Sequence, residues 1–155
     1  MNDYVKTMRK SIGQETLLTV GRGAIIEDEL GRILLQQRTD YGTWGIPGDL
    51  LELGETFEEA VIREVLEETG LSLNKLELFG LYSGVEGFSK YSNGDQVFSV
   101  QIIFHTTDYT GILKTNNESK KLSFLYKNEL PENLNPHQSP YILDWVNGVQ
   151  TQIIK

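Results

Sequence analysis

The chain contains no cysteine, which excludes disulfides, thiol nucleophiles and Cys-ligated zinc or iron–sulfur sites together. Bases are scarce: 14 Lys and Arg stand against 22 Asp and Glu, a formal net charge of −8. That balance argues against non-specific nucleic-acid binding, which needs clustered Lys and Arg to neutralise phosphates. If phosphates are bound, cations must mediate. Long apolar runs are also missing. The stretch "MNDYVKTMRKSIG" is charged throughout, and nowhere do apolar residues approach the roughly 20 in a row that a membrane helix needs. The expectation is a cytoplasmic protein with no membrane partner and no nucleic-acid duplex as ligand. The two histidines, His105 and His137, lie far apart without metal-ligand spacing and read as structural. No Ser-His-Asp arrangement, phosphate-cradling P-loop or dinucleotide fingerprint is present.

With 155 residues and 39 % hydrophobic side chains, the chain fits one domain able to bury a core without staples. "DYVKTMRKSIG" reads as a short amphipathic helix or arm over residues 1–13. "TLLTVGRGAIIED" and "RILLQQR" read as strands separated by the turn "DELG". After the Gly-rich loop "TDYGTWGIPGD", the stretch "TFEEAVIREVLEETG" has helical periodicity, with Thr56 as N-cap, Glu59 as capping-box partner and Gly70 as stop. Strand patterns return in "KLELFGLYSGVEGF" and "QVFSVQIIFHTTD", joined through Asn93-Gly94, a hairpin signal. In the second of these Phe98, Val100, Ile102 and Phe104 share one face. "KLSFLYKNEL" reads as a further strand, and residues 138–150 as a C-terminal helix. The coarse picture is an α/β (α+β) domain, a mixed β-sheet sandwiched between helices.

One segment holds nearly all the charge imbalance. Gly48 to Leu71, "GDLLELGETFEEAVIREVLEETGL", carries eight carboxylates and one base, Arg63, hence −7 of the chain's −8. At about 100° per residue, Glu64, Glu67 and Glu68 share an arc of roughly 100° beside the apolar positions Phe57, Val61, Ile62, Val65 and Leu66, while Arg63 lies about 100° from Glu64. Like charges at this spacing destabilise a helix by about 0.2–0.5 kcal/mol, more where desolvated. A divalent cation would compensate: Mg²⁺ or Mn²⁺ takes oxygen ligands and bridges carboxylates to substrate phosphates. The competing reading is a solvated, helix-favouring acidic face that binds no ion.

The spacing decides between them. Glu55, then after seven intervening residues Arg63 and Glu64, then Val65, Leu66, Glu67, Glu68, Thr69, Gly70 and Leu71 resemble the signature of the Nudix hydrolases, G-x5-E-x7-R-E-U-x-E-E-x-G-U with U aliphatic. "WGIPGD" resembles the Trp-x-x-Pro-Gly-Gly that often precedes it. One position departs: Asp49 stands where the family has its second glycine, a place where glycine would allow a left-handed backbone or close approach to the metal. The resemblance implies a Nudix fold and metal-dependent hydrolysis of a diphosphate linkage in a nucleoside diphosphate joined to another group. It implies Glu64, Glu67, Glu68 and the Gly48 carbonyl as ligands of Mg²⁺ or Mn²⁺, with Arg63 orienting the site through Glu55. Two glutamates compete as general base, Glu67 in the helix and Glu118 in the loop "KTNNESKK". The competing class is a Nudix-like nucleotide-binding or regulatory module that hydrolyses poorly, with Asp49 as its mark.

Around this core, Arg38 is placed to grip a phosphate bidentately or to form a surface ion pair. Tyr41 and Trp44 are candidates to stack on a base, Trp44 equally a packing anchor for its loop. The expected partner is a small nucleotide derivative, and edge strands together with the N-terminal arm leave room for a homodimer.

Overall fold

The computed structural model describes residues 3–117 and 119–155. Helix α1 (Asp3–Ile12) leads into strand β1 (Leu17–Ile26), followed by β2 (Ile33–Arg38), β3 (Trp44–Gly45) and β4 (Gly48–Leu50). The acidic helix α2 (Phe57–Thr69) comes next, then β5 (Leu71–Leu73), β6 (Glu77–Tyr82), β7 (Phe88–Lys90), β8 (Gln96–Thr106) and β9 (Tyr109–Gly111). Strand β10 (Ser119–Leu125), helix α3 (Ser139–Val146) and β11 (Ile153–Ile154) close the chain.

The strands sort into a six-stranded mixed sheet in the order β11-β6-β8-β1-β4, with β7 also on β8, a three-stranded sheet β10-β2-β3, and the pair β5-β9. β1 runs parallel to β8 over its whole length and antiparallel to β4. Although β1 and β2 are joined by a short turn and share both cores, their only ladder contact among the described residues is the isolated bridge Glu27↔Ile33 just past β1, and β2 takes the distant β10 as antiparallel partner.

Strand alternation divides the core between two helices. Ala24 and Ile26 of β1 with Ile102 and Phe104 of β8 pack on Val61 and Val65 of α2. Ile25 and Ile103, one residue out of phase, pack on Tyr141, Ile142 and Trp145 of α3. The central strands are covered on both faces, so Ile103 is buried along with Ile102 and Phe104, and in the outer half of β8 the expected face is reversed: Val97 is buried while Phe98 is exposed. Phe57 and Leu66, expected on the apolar face of α2, are about half exposed because only Ala60, Val61 and Val65 among its apolar residues are buried.

Of the signals read for α2, the N-cap and the glycine stop operate. Thr56 is extended and its hydroxyl accepts from the Glu59 N–H at 3.3 Å; Gly70 adopts φ +81° and its N–H returns to the Leu66 carbonyl. In α1, Arg9 donates to the carbonyls of Gly13 and Glu15 just past the helix and reaches across to the Gln96 carbonyl at 2.7 Å. The hairpin between β7 and β8 turns at Asn93-Gly94 as expected, Gly94 at φ +93°.

Removing the Thr56 hydroxyl leaves an N-terminal donor of α2 without its acceptor. Thr56→Ala should lower stability by about 0.5–2 kcal/mol and Thr56→Ser by much less. Urea unfolding curves measure both, and equal losses would show that the hydroxyl is not the capping group.

Candidate active site

β4 is held so tightly on β1 that residue 48 has no space for a side chain. A Cβ on Gly48 would lie 2.2 Å from the Arg22 carbonyl oxygen and 2.7 Å from Cα of Gly23. The ladder bonds Ala24 N–H to Pro47 O (3.1 Å) and Leu51 N–H to Val20 O (2.7 Å) bracket this contact. By antiparallel alternation, Gly23 and Gly48 are then a non-hydrogen-bonded pair, whose backbone groups turn away from the partner strand. The Gly48 N–H turns to Glu68 Oε2 at 3.3 Å.

Glu68 is 5 % exposed, which a merely solvated acidic face does not explain. Its Oε2 also accepts from Nε2 of the buried Gln36 at 3.3 Å, and the Gln36 Oε1 accepts from Ser119 Oγ at 3.0 Å. Burial, followed by the charges of Glu64 and Asp49, pushes the Glu68 carboxyl up to about 8, against the opposing bonds from Gly48 and Gln36. Glu64 is pushed up to about 7, first by burial, then by Asp49 and Glu67, with Arg22 and Arg63 opposing. Glu67 is the open member, its side chain 57 % exposed.

Arg63 organises the helix side. Its Nη2 donates to Glu55 Oε2 at 2.5 Å, and its Nη1 lies 3.2 Å from Glu64 Oε2 and 3.6 Å from Glu67 Oε1. The helical wheel separates Arg63 from Glu64 by about 100°, yet the long side chain wraps back across that angle. Glu55 also accepts from the Glu52 N–H at 2.7 Å. Burial raises the Glu55 carboxyl, but this bond, Arg63 and Arg22 together hold it below its ordinary value.

Asp49 occupies ordinary backbone. Gln152 is the only non-glycine at positive φ among the described residues, so no left-handed conformation is imposed on Asp49, contrary to the expectation from its glycine position. It lies exposed in β4 directly opposite Arg22.

Arg38, Gln36, Gly45, Gly48, Asn135 and Gln138 line a narrow cleft beside these carboxylates. Arg38 is held by Asp40 through two bonds, Nε to Oδ1 at 3.0 Å and Nη2 to Oδ2 at 2.9 Å, both side chains 44 % exposed. Trp44 packs on the α3 core, and its backbone is bonded to Asn133 and Asn135; the loop-anchor role is the one this packing serves. Tyr41 is exposed on the same loop. Glu118 lies outside the described residues; just before it, Asn116 Nδ2 donates to the Glu67 carbonyl at 3.4 Å, so that loop runs beside α2. The histidines lie elsewhere, His105 Nε2 3.5 Å from Glu27 and His137 Nδ1 3.3 Å from the Glu86 carbonyl.

Arg22 and Gln36 escaped the sequence reading. Arg22 is 3 % exposed, its Nη2 3.9 Å from Glu55 Oε1. The signal was a lone base between Gly21 and Gly23 inside an apolar strand, since Arg is almost never buried without a purpose in charge pairing. Gln36 had only its place in "LLQQR" to mark it.

Among the described residues no three His, Asp or Glu side chains already form a cage around one point. The donor set nevertheless suits a hard divalent ion: it offers oxygens alone, from carboxylates that burial and mutual repulsion drive toward protonation.

Residues 17–146 match the NUDIX domain family. The chain is 34 % identical over 132 residues to a MutT-like protein of Streptomyces ambofaciens, covering 85 % of this chain and 79 % of that one. It is 31 % identical over 128 residues to an ADP-ribose pyrophosphatase of Methanocaldococcus jannaschii, covering 80 % and 72 %. The crystal structure of a MutT NUDIX hydrolase from Burkholderia pseudomallei superposes with a TM-score of 0.71 at 26 % identity, covering 86 % of this chain and 99 % of that one.

The raised carboxyls make a pH prediction. A carboxyl whose folded value exceeds its unfolded value of about 4.5 contributes stability below that value and loses it as pH rises through the folded one. With Glu64 at about 7 and Glu68 at about 8, the melting temperature in chelator should fall between pH 5 and pH 9. Glu68→Gln should flatten the upper part of that slope and stabilise the ion-free protein at pH 9 by on the order of 1–3 kcal/mol. Saturating Mn²⁺ should reverse the trend, because metal ligation requires the deprotonated forms. A flat profile in chelator would contradict this.

Proposed function

The chain belongs to the NUDIX family, and we propose that it is a divalent-metal-dependent hydrolase of a diphosphate linkage in a nucleoside diphosphate joined to another group. One observation supports the metal requirement: Glu68 is buried in contact with Gly48 N–H, and that burial, added to by the charges of Glu64 and Asp49, pushes its carboxyl up to about 8. Glu64, Glu67 and Glu68, with the Gly48 carbonyl, would hold Mg²⁺ or Mn²⁺. Such an ion, when bound, neutralises phosphate charge, lowers the pKa of a coordinated water and positions that water in line with phosphorus.

The chain's own residues do the rest. Gln36 and the Gly48 N–H hold one oxygen of Glu68 and so limit its rotation. Arg63 ties Glu55 to Glu64 and Glu67, setting the spacing of the helix-borne carboxylates as a positioning residue. Glu67, the most exposed of the three, is a candidate to accept a proton from the attacking water through an oxygen not used as a ligand, and Glu118 is the alternative base. Arg38 at the cleft would exchange its Asp40 partner for a phosphate oxygen, a pairing its planar fork fits. Tyr41 is the exposed aromatic on the same loop and would cover the base. The substrate class spans nucleoside triphosphates, nucleotide sugars, ADP-ribose and dinucleoside polyphosphates.

A second reading is favoured by Asp49, whose carboxylate at the mouth of the site would repel an incoming phosphate: a nucleotide-binding module without turnover. Assay of this substrate panel with and without Mg²⁺, with product identification, separates the two. Turnover with at least one substrate that disappears in chelator is expected. Glu64→Gln and Glu68→Gln should each reduce kcat by more than the roughly 10–100-fold typical of outer-shell partners, and Arg63→Ala should fall within that range. Retained nucleotide binding with no turnover would establish the module instead.

A further inference from the structure

Arg22 has a chemical environment that hydrogen bonding does not account for. It is 3 % exposed, and its Nε and Nη1 have no hydrogen-bond partner among the described residues. The approach of Nη2 to Glu55 Oε1, at 3.9 Å, is longer than a hydrogen bond. Glu55 is in any case already bonded by the Glu52 N–H and Arg63. A buried guanidinium so poorly bonded costs more than one that forks onto a carboxylate. Its charge is then the property left to explain its presence.

Position gives that charge an object. Arg22 shares strand parity with Ala24 and Ile26, which pack on α2, so its side chain lies between the sheet and the carboxylate-bearing helix. Its direct partner across the β1–β4 ladder is Asp49, and directly opposed residues of an antiparallel pair project from the same face. The two residues that depart from an ordinary apolar strand and from the family's glycine are therefore register partners. One adds a positive charge beneath the cluster, the other a negative charge at its rim, and both bear on Glu64 with opposite sign.

We infer that Arg22 and Asp49 form a balanced charge pair that sets the divalent-ion affinity of the Glu64–Glu67–Glu68 cluster, the buried guanidinium offsetting the additional carboxylate. The inference rests on the proposed metal site and adds to it that affinity is tuned by two residues that are not themselves required as ligands. Asp49 on its own would overbind the ion and repel phosphate; Arg22 on its own would weaken the ion.

Calorimetric titration of the full chain with Mn²⁺, in the absence of nucleotide, tests the pair. Arg22→Met should tighten Mn²⁺ about tenfold and Asp49→Gly should weaken it by a similar factor, as removal of a unit charge that bears on a ligand carboxylate would. The double variant should return to within about threefold of the parent, and Arg22→Lys, which keeps charge and loses the fork, should stay within about threefold as well. Where Arg22→Met alone does not fold, the double variant should, because its charge is again balanced. Shifts of the same sign in the two single variants, no shift in either, or a double variant that neither folds nor returns toward the parent would overturn the pairing. Parent protein that binds no Mn²⁺ overturns the metal reading and this inference together, whereas a parent that binds while the variants disobey the pattern overturns this inference alone.

Discussion

The approach of β4 to β1 at Gly48 is the contact from which the site is built. Because no side chain fits between residue 48 and the Arg22 carbonyl, the chain passes within backbone distance of the central strand before it turns into α2. The same closeness releases the Gly48 N–H toward Glu68 and lays Asp49 opposite Arg22. A wider crossing would have placed the helix one side-chain layer further out, with Glu68 in solvent. The capping of α2 by Thr56 and Gly70 then fixes which turn of the helix meets that strand.

Burial is what turns a row of glutamates into chemistry. On a free helix the repulsion among Glu64, Glu67 and Glu68 would amount to fractions of a kilocalorie per pair. Pressed against the sheet, Glu64 and Glu68 are pushed up to about 7 and about 8, first by burial and then by their charged neighbours, with Arg22 and Arg63 opposing at Glu64 and the bonds from Gly48 and Gln36 opposing at Glu68. Electrostatics strains the cluster while Val61 and Val65 hold the helix in place through apolar packing on Ala24, Ile26 and Ile102.

The helix, its caps, its spacing and the Asn93-Gly94 hairpin were legible in the sequence because each depends on residues within a few positions of one another. The pairing of the strands was not, since the turn between β1 and β2 carries no sign that β2 pairs with β10, some 85 residues on. The carboxylates could be named from their spacing, yet their unequal exposure, from buried Glu68 to open Glu67, came only from the side of the helix that meets the sheet. Arg22 was hidden by its surroundings: a polar residue in an apolar strand carries no period of its own. Asp49 was misjudged for a related reason, because a glycine in a motif suggests a special backbone, whereas the crowding here falls on Gly48 and leaves residue 49 extended.

Gln36 joins two parts of the chain that share no secondary structure. Its amide donates to Glu68 and accepts from Ser119, and an amide has one donor end and one acceptor end, so the two bonds fix its orientation jointly. Glu68 accepts that bond as a carboxylate; as a protonated acid it carries a donor of its own, and the preference of the amide for its present orientation weakens. Ser119, the first residue of β10, is thus bonded through Gln36 to the one carboxylate of the helix that is buried.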